Sequence, residues 1–278
     1  ARKYILIEMG SYCDTALRPR IEKVIYSESW KDGKPTSRES GISQCFKYIR
    51  LESYEDSLNN LELTRTSEQQ ALLDLAESNG ADKLKEDYTL RYLLDIESRG
   101  SPSLLSIDRF VDPTAYKLKV KKPGSDESSE VAVDLIETFN YLIGLKVGHI
   151  SAPHILAADF VRDGEKRLNI VKGSLKAKAD GKWWFRNVTG TLLDGRRILV
   201  IWRKRPGGET PEGLEEDNLV LDEWFKSKQG YSTKDSEFDL IYVNGTNNLE
   251  NLKTPDDLWK VRLIEEDFLR LMFEDTEA

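Results

Sequence analysis

The sequence predicts an α/β protein in three parts. These are the end of a nucleotide-binding sheet over residues 1–50, a helical section over 51–105 and a mixed α/β domain over 106–278. Three observations carry this expectation. The run Tyr4-Ile5-Leu6-Ile7-Glu8-Met9-Gly10 is a short aliphatic stretch closed by an acid and a glycine, the pattern of a core strand. Ile198–Trp202, Glu215–Lys228 and Asp239–Val243 follow one another as strand, amphipathic helix and strand, the spacing of a parallel crossover. Over Asp134–Val147, the residues Leu135, Ile136, Phe139, Leu142 and Ile143 share one helical face.

The remaining elements follow from local signals. Asp14–Ile25 holds a short helix interrupted at Pro19, and Trp30–Ser37 is a loop by its turn residues. Phe46–Leu51 is a strand. Ser53, with an acid three residues on, caps a helix through Leu61. Ser67 and Gln70 repeat that pattern before Ala71–Ala76, and Asn79-Gly80 closes the helix. A further helix covers Lys83–Glu97, and the main boundary falls within Ser98–Val111. Tyr116–Lys122 is a strand leading to a turn at Pro123-Gly124-Ser125. Leu168–Val171, Leu175–Ala179 and Trp183–Val188 are strands, with Asp180-Gly181 as a hairpin tip. Lys260–Ile264 fits strand or helix, and Glu265–Glu274 is a helix whose first turn carries acids that suit its dipole.

Composition narrows the function classes. No run approaches the ~18 apolar residues of a membrane span, and no secretory signal opens the chain. Cys13 and Cys45 are the only cysteines, which argues against a metal or disulfide framework and fits a reducing cytoplasm. The net charge of −8 does not favour simple attraction to nucleic acid, but it is unevenly spread. Residues 206–278 hold 19 acids and 7 bases, so the rest of the chain is net basic. The bases cluster at Lys117, Lys119, Lys121 and Lys122, and at Arg196, Arg197, Arg203, Lys204 and Arg205. Either these are solvated faces, or Lys119, Lys121, Arg203 and Arg205 meet a polyanion.

Each candidate motif also has a plainer structural reading. Glu8, at a strand end, is placed to accept hydrogen bonds from a ribose. Asp112-Pro113-Thr114-Ala115-Tyr116 lacks the second proline and the aromatic spacing of an Asp-Pro-Pro-Tyr loop, so it reads as a turn. His149 and His154, on a loop just past a helix end, could serve a base or a metal, but no acid pattern lies beside them and they read as structural. Asp180-Gly181-Lys182 could be the acid–lysine piece of a nuclease, but it reads better as the tip of a hairpin. Trp183 and Trp184 are adjacent on a strand and must face opposite ways, so at least one is core. Neither a phosphate-cradling Gly-x-x-x-x-Gly-Lys loop nor a Gly-x-Ser-x-Gly elbow occurs. No catalytic or metal-binding residue is assigned.

Four stretches carry a resemblance: Arg2–Gly10, Phe46–Leu61 (containing Leu51-Glu52-Ser53-Tyr54-Glu55-Asp56-Ser57-Leu58-Asn59-Asn60), Val133–Leu142 and Phe238–Gly245. Together they resemble the carboxyl-terminal part of the type III restriction-modification adenine-specific DNA methyltransferases. The resemblance implies a Rossmann-like sheet ending in residues 1–50, S-adenosylmethionine as methyl donor and Glu8 as its ribose ligand. It implies duplex DNA, a restriction (helicase-nuclease) subunit and a second copy as partners. The family's Asp-Pro-Pro-Tyr loop and Phe-x-Gly-x-Gly turn precede the strand matching Tyr4–Glu8, and neither occurs in these 278 residues. The resemblance therefore implies a segment inactive alone. The alternative is a non-catalytic module that docks a restriction subunit or DNA.

Overall fold

A computed structural model describes residues 4–37, 39–42, 44–62, 67–78, 101, 110–122, 125–208, 210–235, 237–254 and 257–273. The chain divides into two units: residues 1–60 with 119–131, and residues 61–118 with 132–278. This division differs from the expected boundaries at 50 and 105. The hairpin of β3 (Lys117–Lys121) and β4 (Ser128–Ala132), remote in sequence, contributes most of its residues to the first unit.

In the first unit a π-helical turn over Cys13–Leu17 runs into α1 (Arg18–Tyr26). Pro19 lies in the first turn of α1, directly after the π turn, and the helical run continues through it instead of being interrupted there. The expected loop holds a small hairpin, β1 (Trp30–Lys31) and β2 (Lys34–Pro35). At its tip Asp32 and Gly33 take φ of 48° and 74°, the two left-handed positions of a tight hairpin turn. The short helix α2 (Tyr54–Asn59) starts where its cap predicts, with Ser53 Oγ accepting the Asp56 N–H at 3.1 Å.

Two expected strands are corrected. Neither Tyr4–Glu8 nor Phe46–Leu51 belongs to any sheet among the described residues. A strand exists only where a neighbour takes up its backbone N–H and C=O groups, and none is described beside these two. Ile5 and Ile7 are each 88% exposed.

The second unit is built on a seven-stranded mixed sheet. Its centre is β10 (Trp183–Thr191) against β11 (Arg197–Arg203), antiparallel from Phe185↔Arg203 to Thr191↔Arg197. β12 (Leu240–Val243) and β13 (Val261–Leu263) continue from β11 in parallel, which confirms the expected crossover and resolves 261–263 as strand. On its other side β10 pairs with β5 (Lys146–Ile150) and β6 (His154–Ala157), and β9 (Lys176–Ala177) lies outside β6. Asp180-Gly181 is therefore not a hairpin tip between β9 and β10, because β6 intervenes. It is a turn pressed onto β6, where a Cβ on Gly181 would lie 2.3 Å from the Leu156 carbonyl oxygen. A separate ribbon joins β7 (Phe160–Arg162) to β8 (Leu168–Ile170).

Helices cover both faces of this sheet. α3 (Ser67–Ser78) begins at the Ser67 of the expected cap; Asn79-Gly80 and the helix expected over 83–97 lie outside the described residues, as does most of the expected boundary. α4 (Leu135–Leu142) has Asp134 as its cap and stops before Gly144, at φ 65°, so residues 146–147 open β5 instead of extending the helix. α5 (Pro211–Glu223) runs into a π-helical turn over Trp224–Lys228, and α6 (Ile264–Phe273) follows β13. Alternation along the strands divides the core in two. Phe185, Leu199, Ile201, Ile241 and Val243 pack on one side with Val220, Leu221, Trp224 and Phe225 of α5 and its π turn. Val188, Ile198, Val200, Trp202 and Tyr242 pack on the other with Phe139 of α4 and Phe268 of α6. Trp183 belongs to the first layer and Trp184 packs against the second, as their adjacency requires. No described helix is long and apolar enough to cross a membrane.

Candidate functional site

The carboxyl ends of β11, β12 and β13 point the same way, and in open α/β sheets that edge forms the ligand crevice. Here the chain's own side chains fill it. Arg203 ends β11 and is fully buried. Its guanidinium donates to the carbonyls of Asn244 (3.2 Å), Asp217 (3.1 Å) and Thr246 (2.8 Å) and to Asn218 Oδ1 (3.0 Å). Asn244, just past β12, accepts the Arg203 N–H at 2.7 Å and donates to the Phe110 and Arg203 carbonyls. Asp217 of α5 accepts from Trp183 Nε1 at 2.8 Å and from the Gly207 N–H at 3.2 Å. Glu265, at the start of α6, accepts the Gly245 N–H at 2.7 Å. Arg205, 4% exposed, lies flat on Gly245: a Cβ there would fall 2.3 Å from Arg205 Nε, and the φ of +73° also favours glycine.

Burial dominates the titration of this cluster. The Arg203 guanidinium is lowered to about 10, first through burial and then through repulsion by Arg205, against the attraction of Asp217 and Glu265. Burial raises the Asp217 carboxyl despite the bond from Trp183, and raises Glu265 despite the Gly245 N–H and the two arginines. A carboxyl with a raised folded pKa binds more protons folded than unfolded. Its contribution to stability therefore falls as pH rises from the ordinary carboxylate range near ~4 through the raised value. Glu265→Gln removes one such group. Urea unfolding at pH 5 and pH 7 is expected to show wild type losing more stability between the two than the variant; equal losses would refute the assignment.

The DNA-facing roles expected of Arg203 and Arg205 are thus corrected. They are buried because β11 is covered on both faces and because α5 and the turn after β12 close over its end. Nor do the basic residues of 196–205 form one patch: Arg196 and Arg197 lie at the opposite end of β11 from Arg203, about 20 Å away by strand rise.

Lys119 and Lys121 sit on β3. Lys119 is exposed, whereas Lys121 pairs with Asp126 at 2.9 Å and its neighbour Lys122 with Glu127 at 2.8 Å. The hairpin therefore offers a phosphate backbone less free charge than four lysines suggest. Its free edge is clasped by α2. Asn60 Oδ1 accepts the Lys119 N–H at 2.7 Å and Asn60 Nδ2 donates to the Lys119 carbonyl at 2.8 Å. One helical turn earlier, Asp56 Oδ1 accepts the Lys121 N–H at 2.9 Å, and Arg50 donates to the Lys121 carbonyl at 2.8 Å. Residues i and i+4 of a helix are spaced like i and i+2 of a strand, so two side chains serve as a missing strand. The sequence marked Asp56 only through its distance from Ser53 and gave no sign of its partner.

Glu8 lies in the exposed segment, its Oε1 accepting the Gly10 N–H at 2.9 Å. The residues around it do not fit S-adenosylmethionine by themselves: among the described residues no strand positions the carboxylate and no glycine turn faces it. The other motifs stay structural. Asp112 Oδ1 accepts from Thr114 N and Oγ1, and its carboxylate pairs with Lys204, closing a turn. His149 and His154 lie on β5 and β6, not in a loop, and His154 Nδ1 accepts from Trp224 Nε1 at 3.2 Å. Asp180 is exposed beside Lys178. Comparison with family models, with curated proteins and with solved structures finds no match.

Proposed function

We propose that this chain is the carboxyl-terminal, non-catalytic part of an S-adenosylmethionine-dependent adenine-specific DNA methyltransferase of a restriction-modification system. The support is the resemblance of Arg2–Gly10, Phe46–Leu61, Val133–Leu142 and Phe238–Gly245, joined to one structural observation. No apolar side chain of the first unit is buried among the described residues, while sixteen large ones are exposed, among them Tyr4, Ile5, Leu6, Ile7, Phe46 and Leu51. So much apolar surface is normal only where another surface covers it. Four consecutive apolar residues need cover on both faces, as a strand in a parallel sheet has. On this reading residues 4–51 complete a methyltransferase sheet whose catalytic loop and glycine turn lie in preceding sequence. Duplex DNA, a restriction subunit and a second copy are then the partners.

Calorimetric titration of S-adenosylmethionine tests the reading. The 278-residue chain is expected to bind it weakly or not at all, and a chain extended through an Asp-Pro-Pro-Tyr loop and glycine turn to bind it. Tight binding by the 278 residues alone would defeat the proposal.

One observation favours the alternative, a docking module without chemistry. The carboxyl edge of the second unit is occupied by Arg203, Arg205, Asn244 and Glu265, which leaves a self-sufficient fold. A monodisperse complex with a restriction subunit, formed without DNA or cofactor and with no gain of cofactor binding on extension, would favour it.

A further inference from the structure

We draw no further inference here: the strongest candidate, the exposed apolar surface of the first unit around Tyr4–Met9 and Phe46–Leu51, belongs to the reading already given, and nothing in the structure shows what covers it.

Discussion

Replacing Arg203 with alanine is expected to cost the second unit roughly 3–5 kcal/mol, the usual penalty for removing one partner of a buried charged network. The side chain holds three elements at one point: the turn after β12 through the Asn244 and Thr246 carbonyls, α5 through Asp217 and Asn218, and its own strand. Its loss leaves those acceptors without their donor in a site closed to water, and leaves Asp217 and Glu265 facing only Arg205. Lysine is not an adequate substitute, because its three donors on one nitrogen cannot span four acceptors on two elements. Urea unfolding followed by tryptophan fluorescence reads the loss through Trp202 and Trp224. A change below about 1 kcal/mol would mean that Arg203 is a surface cation and that the sequence expectation was sound.

Asn60→Ala is expected to open the free edge of β3. The variant removes both bonds to Lys119 and leaves a strand N–H and C=O unpaired, at a cost of about 2–4 kcal/mol. The first unit has no apolar core among its described residues to absorb that loss. Hydrogen exchange at the Lys119 amide should accelerate by two orders of magnitude or more, while β11 and β12 stay unchanged. Asp56→Asn should be milder, since an amide oxygen still accepts from Lys121. Unchanged exchange at Lys119 in Asn60→Ala would show that the edge is held by something other than the clasp.

Much of the second unit was legible because its signals are local. Asp134, the first residue of the expected helix, caps α4 through the Glu137 N–H, and in the first unit Ser53 caps α2 through the Asp56 N–H; Thr210, which caps α5 through the Gly213 N–H, lies before the expected start at Glu215 and was missed. The β11–α5–β12 crossover announced itself through two aliphatic runs flanking an amphipathic stretch. Pairings set by distant residues were not legible. β6 inserts between β9 and β10, so a good hairpin tip at Asp180-Gly181 joins strands that never meet. Gly148 and Pro153 hid β5 and β6 behind a loop-like composition, and the two histidines were misplaced with them. Arg203 and Arg205 looked like a basic patch because sequence displays charge but not what encloses it. Tyr4–Glu8 and Phe46–Leu51 have strand composition without a described sheet, since composition cannot supply the neighbour.

The most direct test of the account is hydrogen exchange at the amides of Tyr4–Glu8 and Phe46–Leu51. In the 278-residue protein these are expected to exchange nearly as fast as unstructured peptide, while Ile198–Trp202 stays protected. In a chain extended through an Asp-Pro-Pro-Tyr loop and glycine turn, as the proposal requires, they should slow by two orders of magnitude or more. Strong protection of both segments in the 278-residue protein itself would contradict the claim that they await a covering sheet.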